Sequence, residues 1–155
     1  MQGQVPGSAT NPRMSILPAM ADVLIVDDSA QIRQLLREFI SPLGHQIREA
    51  GSAEDALALV VEAQPDVAFC DVHLTAANGL WLADQIRSVS PHTAMVLATG
   101  DSEVPPYESL RPGIVAYILE PFTRAAVIRA VNEGVQWAAA SGRRRGRLRL
   151  SSGIE

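Results

Sequence analysis

The sequence contains no lysine, because all 13 of its basic residues are arginines. No site formed by this chain can therefore use a lysine ammonium group. It has one cysteine, Cys70, which excludes an internal disulfide and is typical of a reducing compartment. No apolar run approaches the ~20 residues that span a bilayer, and the N-terminus lacks the charged-then-apolar layout of a signal peptide. These absences predict a cytoplasmic protein that is not embedded in a membrane.

Length and charge predict one domain with two flanking segments. The 155 residues, 47% of them hydrophobic, suit a single globular domain. Charge is uneven along the chain, since residues 143–155 hold 5 of the 13 arginines and only one acid. We expect a flexible leader over 1–20, a domain over 21–141 and a basic disordered tail over 142–155. The tail has no aromatic residues, which disfavours a nucleic-acid contact, and we expect no output domain in it.

Short apolar runs alternate with amphipathic segments throughout the domain. The predicted strands are 23–28, 45–50, 67–71, 93–100 and 114–119, and the predicted helices are 29–40, 52–63, 79–89 and 121–140. Ser52 and Asp55 predict a capping box, and Pro121 is expected at or near the first position of the last helix. Residues 101–113 contain three prolines, so a helix there is expected to be short, distorted or absent. The alternation predicts an α/β fold with a parallel sheet covered on both faces.

Acidic residues stand at the ends of three of the five predicted strands. Asp27 and Asp28 end the first strand, Asp71 ends the third and Glu120 directly follows the fifth, while Thr99 and Gly100 end the fourth. Ligands of open α/β sheets bind beyond the carboxyl ends of the strands, so we expect these side chains to share one rim. Clustered carboxylates repel one another unless a cation or protons neutralise them, and their oxygens suit Mg²⁺ or Mn²⁺. The competing interpretation, that each acid only caps the next helix, is weakened by three strands ending alike.

Together these residues resemble the receiver domain of bacterial two-component response regulators. The resemblance covers residues 21–140 and rests on Asp27-Asp28, on Asp71 with Gly79 eight residues later, on Thr99-Gly100, and on Tyr117 three residues before Glu120-Pro121-Phe122. It implies a doubly wound, five-stranded parallel sheet of the flavodoxin-like (βα)5 type, with strand order 2-1-3-4-5. The proline-rich segment makes its fourth helix degenerate.

The resemblance also implies a role for the acids of the rim. Asp71 would be the phosphoacceptor, and its phosphoryl group would come from a histidine kinase or phosphotransfer protein. Asp28 and Asp71 would bind Mg²⁺ directly, Asp27 would bind it through water, and His73 would bind it through its backbone carbonyl. The cation offsets the charge of the incoming phosphoryl oxygens.

Two further residues would convert phosphorylation into a signal. The resemblance implies that Thr99 turns its hydroxyl toward the phosphoryl group and that Tyr117 rotates inward behind it. A partner protein would then bind the surface formed by strand five and its flanking segments, with a homodimer as an alternative. Such a protein is not an enzyme beyond its own phosphorylation and dephosphorylation.

Glu120 departs from the family, because receivers carry a lysine at this position that contacts the phosphoryl group. Thr75 is a second departure, at a position where receivers usually have proline. A carboxylate beside a dianionic group repels it, so we expect an atypical receiver with altered switching. Two alternatives stay open: a phosphate-independent interaction module, and a Mg²⁺-dependent phosphohydrolase with Asp71 as nucleophile. The phosphohydrolase ranks last because no cationic group stands at the motif positions.

The remaining candidates have plainer interpretations. Cys70 lies within a buried strand and is expected to be a small core residue rather than a reactive thiol. Trp81 and Trp137 lie on predicted helices at core-like or partner-facing positions, and we expect the core for both. The side chain of His73 either tunes the access of water to Asp71 or is a solvated loop histidine.

Overall fold

The structure is a computed structural model that describes residues 20–74, 77–100 and 113–142. Within these ranges five strands alternate with four α-helices. The strands are β1 Asp22–Val26, β2 Gln46–Ala50, β3 Val67–Cys70, β4 Ala94–Thr99 and β5 Ile114–Leu119. The helices are α1 Ala30–Ile40, α2 Ala53–Glu62, α3 Gly79–Val89 and α4 Arg124–Ala140, and a 3₁₀ turn, Ser41–Leu43, follows α1. The predicted elements are confirmed with their boundaries shifted by zero to three residues.

The five strands form one sheet in the order β2-β1-β3-β4-β5, and every pairing between neighbours is parallel. This confirms the flavodoxin-like topology. The order reverses direction at β1 and β3, whose ends lie side by side in the sheet. In doubly wound folds this switch point is where ligands bind.

Helices cover both faces of the sheet. The face carrying α1 and α4 buries Val23, Ile25, Val67, Phe69, Val96, Leu36, Ile40, Val127 and Val131. The face carrying α2 and α3 buries Leu24, Val26, Ala68, Cys70, Leu97, Val60, Leu82 and Ile86. Because successive side chains of a strand point to opposite faces, each buried strand contributes to both clusters. This explains why β1, β3 and β4 are continuous apolar runs.

Each helix begins on a side chain that accepts a hydrogen bond from a backbone N–H of the first turn. Ser29 caps α1, Ser52 caps α2 through the N–H of Asp55, Asn78 caps α3 and Thr123 caps α4. Such caps satisfy backbone donors that have no partner within the helix. The start predicted at Ser52 is therefore confirmed.

The predicted helix start at Pro121 is wrong. The last helix begins at Arg124, and the Glu120–Pro121 peptide bond is cis. Phe122 is buried on the α1 and α4 side of the sheet, and the hydroxyl of Thr123 accepts a hydrogen bond from the N–H of Ala126 at 3.1 Å. The chain therefore first places Phe122 in the core and starts the helix afterwards.

The expectation for Trp81 is also wrong, because 48% of its surface is exposed. Helix α3 turns Leu80, Leu82, Ala83 and Ile86 toward the sheet, and this leaves position 81 on its outer side. Trp137 is half-buried and packs against the cluster formed with α1 and α4.

Several expectations fall on residues outside the described ranges. They concern residues 1–19 of the leader, Thr75, the proline-rich segment over 101–112, and residues 143–155 of the tail. Within the described part of the chain, no helix is long and apolar enough to cross a bilayer.

Close packing of α4 on β3 predicts a specific intolerance at Gly134. A Cβ atom at Gly134 would lie 2.8 Å from Cγ2 of Val67, in the middle of the sheet. We expect Gly134→Val to lower the free energy of unfolding by at least about 2 kcal/mol in urea titrations, because overpacking strains this contact. The control Glu133→Val adds the same side chain at the neighbouring exposed position and is expected to cost less than about 1 kcal/mol. Equal losses in the two variants would contradict the packing argument.

Candidate functional site

The parallel ladder brings the ends of β1 and β3 together. Val26 and Cys70 are paired in the sheet, and the N–H of Asp71 donates to the carbonyl of Val26 at 3.1 Å. On the other side of β1, the N–H of Asp27 donates to the carbonyl of Ala50 at 3.2 Å. Asp27 and Asp71 therefore leave the sheet side by side.

Three aspartates converge at this point. Asp27, Asp28 and Asp71 each offer a carboxylate oxygen, and the three oxygens lie within 4.8 Å of one another. Asp27 is buried, Asp71 is half-buried and Asp28 is exposed. The cluster is therefore open to solvent on one side, as a site for an incoming group must be.

Backbone donors in the two loops orient the carboxylates. The N–H of Ser29 donates to Oδ1 of Asp27 at 2.8 Å, and the N–H of His73 donates to Oδ1 of Asp71 at 3.1 Å. Each bond spans two residues, so each loop folds back on its own acid. This leaves the second oxygen of each carboxylate available for another contact.

Burial and the neighbouring negative charges disfavour the ionised form of Asp27. Its pKa is raised from the ordinary 3.8 to about 6, mainly by burial, although the bond from Ser29 opposes the rise. The negative charges of Asp71, Asp28 and Glu120 each contribute to this increase. A buried acid whose pKa is raised by nearby negative charges is often part of a functional site.

The donor set fits a small, hard divalent cation. Magnesium takes oxygen ligands at about 2.1 Å in an octahedron, so its ligand oxygens lie no more than about 4.2 Å apart. Carboxylate oxygens that already lie within 4.8 Å of one another need only a small adjustment to meet this geometry. A cation bound there would also relieve the repulsion that raises the pKa of Asp27.

Gly79 allows α3 to begin directly against the loop that follows Asp71. A Cβ atom at Gly79 would lie only 2.0 Å from the backbone oxygen of Asp71, so no other residue fits without a shift of the chain. The N–H of Gly79 also donates to the carbonyl of Val72 at 2.7 Å. The spacing of eight residues noted in the sequence thus corresponds to a close backbone contact behind Asp71.

The other predicted site residues lie on the neighbouring strands. Thr99 ends β4 and is buried, whereas Tyr117 of β5 is half-buried against the α2 and α3 side. His73 is exposed in the loop after Asp71. Thr99 and Tyr117 are thus positioned by the sheet, whereas His73 belongs to the loop that shapes the cluster.

Glu120 lies just past the end of β5, with its carboxylate over the end of β4. Its N–H donates to the carbonyl of Thr99 at 3.0 Å. A Cβ atom on Gly100 would lie 2.7 Å from Oε2 of Glu120, so the carboxylate rests against that glycine. Because its charge raises the pKa of Asp27, Glu120 acts electrostatically on the aspartate cluster.

Arg33 is a site residue that the sequence analysis missed. Its Nη1 donates to the backbone oxygen of Asp27 at 2.6 Å, and its Nε donates to Glu49 of β2 at 3.1 Å. The available signal was an arginine in the second turn of the helix that follows the acid doublet.

The prediction for Cys70 is confirmed, since the residue is fully buried and its pKa is raised to about 12, mainly by burial.

The fold and the rim together define the class of this protein: a doubly wound, flavodoxin-like α/β domain with an aspartate cluster at its switch point. Residues 23–132 match the family described as response regulator receiver domain. The chain belongs to that family, which confirms the resemblance seen in the sequence. Receiver domains are signalling modules of two-component systems and bind Mg²⁺ through an acidic pocket.

Among its relatives is the chemotaxis protein CheY of Thermotoga maritima, which is 26% identical over 113 residues, or 72% of this chain and 94% of that protein. The transcriptional regulatory protein ResD of Bacillus subtilis is 29% identical over 68% of this chain, which spans only 44% of ResD. The solved receiver domain of NtrX from Brucella abortus is 29% identical with a TM-score of 0.68, covering 74% of this chain and 98% of that one.

The raised pKa of Asp27 predicts a pH-dependent penalty on stability. Its folded-state pKa of about 6 exceeds the ordinary 3.8, so the folded state loses stability as pH rises from about 4 to about 6. Without divalent cations, we expect Asp27→Asn to be more stable than the unaltered protein at pH 7.5, by about 1–3 kcal/mol. The difference should vanish near pH 4, as measured by urea titrations across this range.

Glu133→Gln is the control for removal of a surface charge, because Glu133 is exposed on α4. We expect little stabilisation from it at either pH. If Asp27→Asn changed stability equally at pH 4 and pH 7.5, the penalty would not arise from ionisation of Asp27.

Proposed function

We propose that this receiver accepts a phosphoryl group on Asp71 in a Mg²⁺-dependent phosphorelay, and that Glu120 alters the switching that follows. One observation carries the proposal: in a chain of the receiver family, oxygens of Asp27, Asp28 and Asp71 converge within 4.8 Å at the switch point of the sheet. The proposal also draws on the half-exposed position of Asp71, which an incoming phosphoryl group can reach.

In this proposal Asp28 and Asp71 hold the cation directly, Asp27 holds it through water, and His73 contributes its backbone carbonyl. When bound, Mg²⁺ offsets negative charge on the phosphoryl oxygens during the transfer. The buried position of Asp27 suits an outer role, whereas the more exposed Asp28 and Asp71 suit direct ligation. The bond from the N–H of His73 to Oδ1 of Asp71 brings that loop to the cluster.

The transfer step uses a carboxylate oxygen of Asp71 as the nucleophile. This oxygen forms a bond to phosphorus while the bond between phosphorus and the donor's histidine nitrogen breaks, and the electron pair stays on that nitrogen. The product is an acyl phosphate on Asp71 and a free histidine on the kinase or phosphotransfer protein.

Thr99 and Tyr117 are proposed as the residues that respond to the phosphoryl group. Thr99 ends the strand beside β3, so a rotation of its side chain can bring the hydroxyl toward a group on Asp71. Tyr117 lies on β5, which pairs with β4, and in this proposal it moves inward after Thr99 has turned. Phosphorylation would shift the population between two such arrangements.

Glu120 is proposed to oppose this response. At a separation of about 4 Å and an effective dielectric near 20, two unit charges interact by roughly 4 kcal/mol, before solvent reduces the value. An acid beside a dianionic phosphoryl group therefore destabilises the phosphorylated state, where a lysine would stabilise it. Arg124 begins α4 after β5, but its guanidinium lies over the ring of Phe39 on α1, 5.0 Å from the ring centroid.

The proposed downstream partner binds the surface formed by β5 and its flanking segments. β5 is the last strand in the order of the sheet, and 44% of the surface of Leu119 at its end is exposed. A partner that binds there would sense Tyr117 and Glu120, which belong to the same strand and the residue after it. This proposal places the protein in the cytoplasm with its kinase.

A second candidate function is a phosphate-independent interaction module. The position of Glu120 favours it, because a permanent carboxylate at the rim supplies negative charge where receivers acquire it by phosphorylation. The two functions differ in whether Asp71 becomes phosphorylated.

Intact mass after incubation with acetyl phosphate and Mg²⁺ tests the acceptor. We expect the unaltered protein to gain the mass of one phosphoryl group, and we expect no gain with EDTA or for Asp71→Asn. The control Asp84→Asn removes an exposed acid of α3 and should leave the gain unchanged. An unmodified protein at every donor concentration would favour the phosphate-independent module instead.

Reversal of the charge at position 120 tests the proposed effect of the acid. We expect Glu120→Lys to raise the rate of phosphorylation by at least about tenfold, equal to about 1.4 kcal/mol in the barrier. Glu120→Gln should give a smaller rise, because it removes repulsion without adding attraction. Glu133→Lys adds the same charge on the outer side of α4 and should have little effect. Full, stable phosphorylation of the unaltered protein, with no gain in Glu120→Lys, would refute the altered switching.

A further inference from the structure

We infer that Arg33 is a positioning residue of the cation pocket: from α1 it holds the backbone between Asp27 and Asp28, and Glu49 of β2 holds Arg33. The inference rests on the proposed function, because it assigns a role in the binding of Mg²⁺ at that pocket. Arg33 itself would not touch the cation.

The contacts of Arg33 join three elements behind the aspartate cluster. Its Nη1 donates to the backbone oxygen of Asp27 at 2.6 Å, and its Nε donates to Oε1 of Glu49 at 3.1 Å. Its own N–H donates to the carbonyl of Ser29 at 3.0 Å, in the first turn of α1. Only 21% of its side chain is exposed. One guanidinium therefore ties the end of β1 to the end of β2.

The absence of a side chain at Gly51 leaves room for this arrangement. A Cβ atom at Gly51 would lie 3.2 Å from Nη1 of Arg33, closer than side chains ordinarily pack. Gly51 follows β2 directly, two residues after Glu49. The end of β2 thus supplies both the acid that orients Arg33 and the space that Arg33 occupies.

The orientation of the Asp27 carbonyl affects the positions of both Asp27 and Asp28. It belongs to the peptide unit between Asp27 and Asp28, so its direction sets how both side chains leave the backbone. A hydrogen bond from a cation to this oxygen is stronger than one between neutral groups. The planar guanidinium directs Nη1 and Nε to different partners at once, which a lysine ammonium on a flexible stem cannot reproduce in the same geometry.

Arg37 provides a matched control on the same helix. It lies one turn after Arg33 and contacts the other oxygen of Glu49, but its second hydrogen bond goes to the backbone oxygen of Ile47 at 3.3 Å. Arg37→Gln therefore removes the same charge and a contact with the same acid, while the bond from Arg33 to Asp27 is kept. A difference between the two variants isolates that bond.

Simple electrostatics and positioning predict opposite effects of Arg33→Gln. Loss of a positive charge near the pocket should strengthen the binding of Mg²⁺, because less repulsion remains. Loss of a residue that positions the ligands should weaken it, by about tenfold or more in other metal sites. The sign of the change therefore separates the two effects.

The test compares the unaltered protein with Arg33→Gln and Arg37→Gln by calorimetric titration with MgCl₂. We expect the dissociation constant to rise about tenfold in Arg33→Gln and to change less than about threefold in Arg37→Gln. In metal-free protein, we expect hydrogen exchange at the Ser29 amide, which donates to Asp27, to accelerate only in Arg33→Gln. If Arg33→Gln does not fold, Arg33→Lys takes its place with the same expected directions.

Four results would count against one proposal or the other. Equal changes in the two arginine variants, or tighter binding of Mg²⁺ by Arg33→Gln, would overturn the positioning role. Unchanged exchange at the Ser29 amide would do the same, and this measurement needs no metal. Failure of the unaltered protein to bind Mg²⁺ would instead overturn the proposed phosphorelay function, with the exchange measurement still deciding the role of Arg33.

Discussion

The parallel hydrogen-bond ladder between β1 and β3 is the constraint on which the site depends. It pairs Val26 with Cys70 and continues one step further, through the bond from the Asp71 N–H to the Val26 carbonyl. A slip of one residue in this register would turn the apolar side chains of β3 to the wrong faces of the sheet. Burial of the core therefore also fixes the relative position of Asp27 and Asp71.

The core holds the acids together at an electrostatic cost, and the surrounding loops reduce that cost. Backbone N–H groups of Ser29 and His73 donate to the carboxylates, and Arg33 donates to the Asp27 carbonyl. Even so, burial and the neighbouring charges raise the pKa of Asp27 to about 6. A stable fold gains nothing from such crowding, and proteins break the local rules of stability mainly at functional sites. The unfavourable crowding of these acids thus indicates a functional site, in agreement with membership of the receiver family.

Glu120 lies at the same rim as the aspartate cluster without being one of its three acids. Its backbone extends the pairing of β5 with β4, whereas its carboxylate acts on the site through charge and rests against Gly100. The proposed cation pocket and the proposed switch are therefore linked through the charge of Glu120. In the proposed function, an acid at this position opposes the phosphorylated state. Arg33 contacts the backbone oxygen of Asp27 and Glu49 of β2, and its proposed role concerns the position of the cation ligands.

The sequence by itself determined the alternation of strands and helices, the buried runs of β1, β3 and β4, and the presence of acids after the strands. These features follow from local periodicity and capping, which each segment carries within itself. The resemblance to receivers added the strand order. Only the tertiary structure decided that α4 begins after Phe122 and that Trp81 faces outward, because both depend on which side chains the sheet buries. The contact from Arg33 to Asp27 likewise required the end of β2 to lie beside the end of β1. Pairing between distant segments creates such contacts, and no local pattern encodes them.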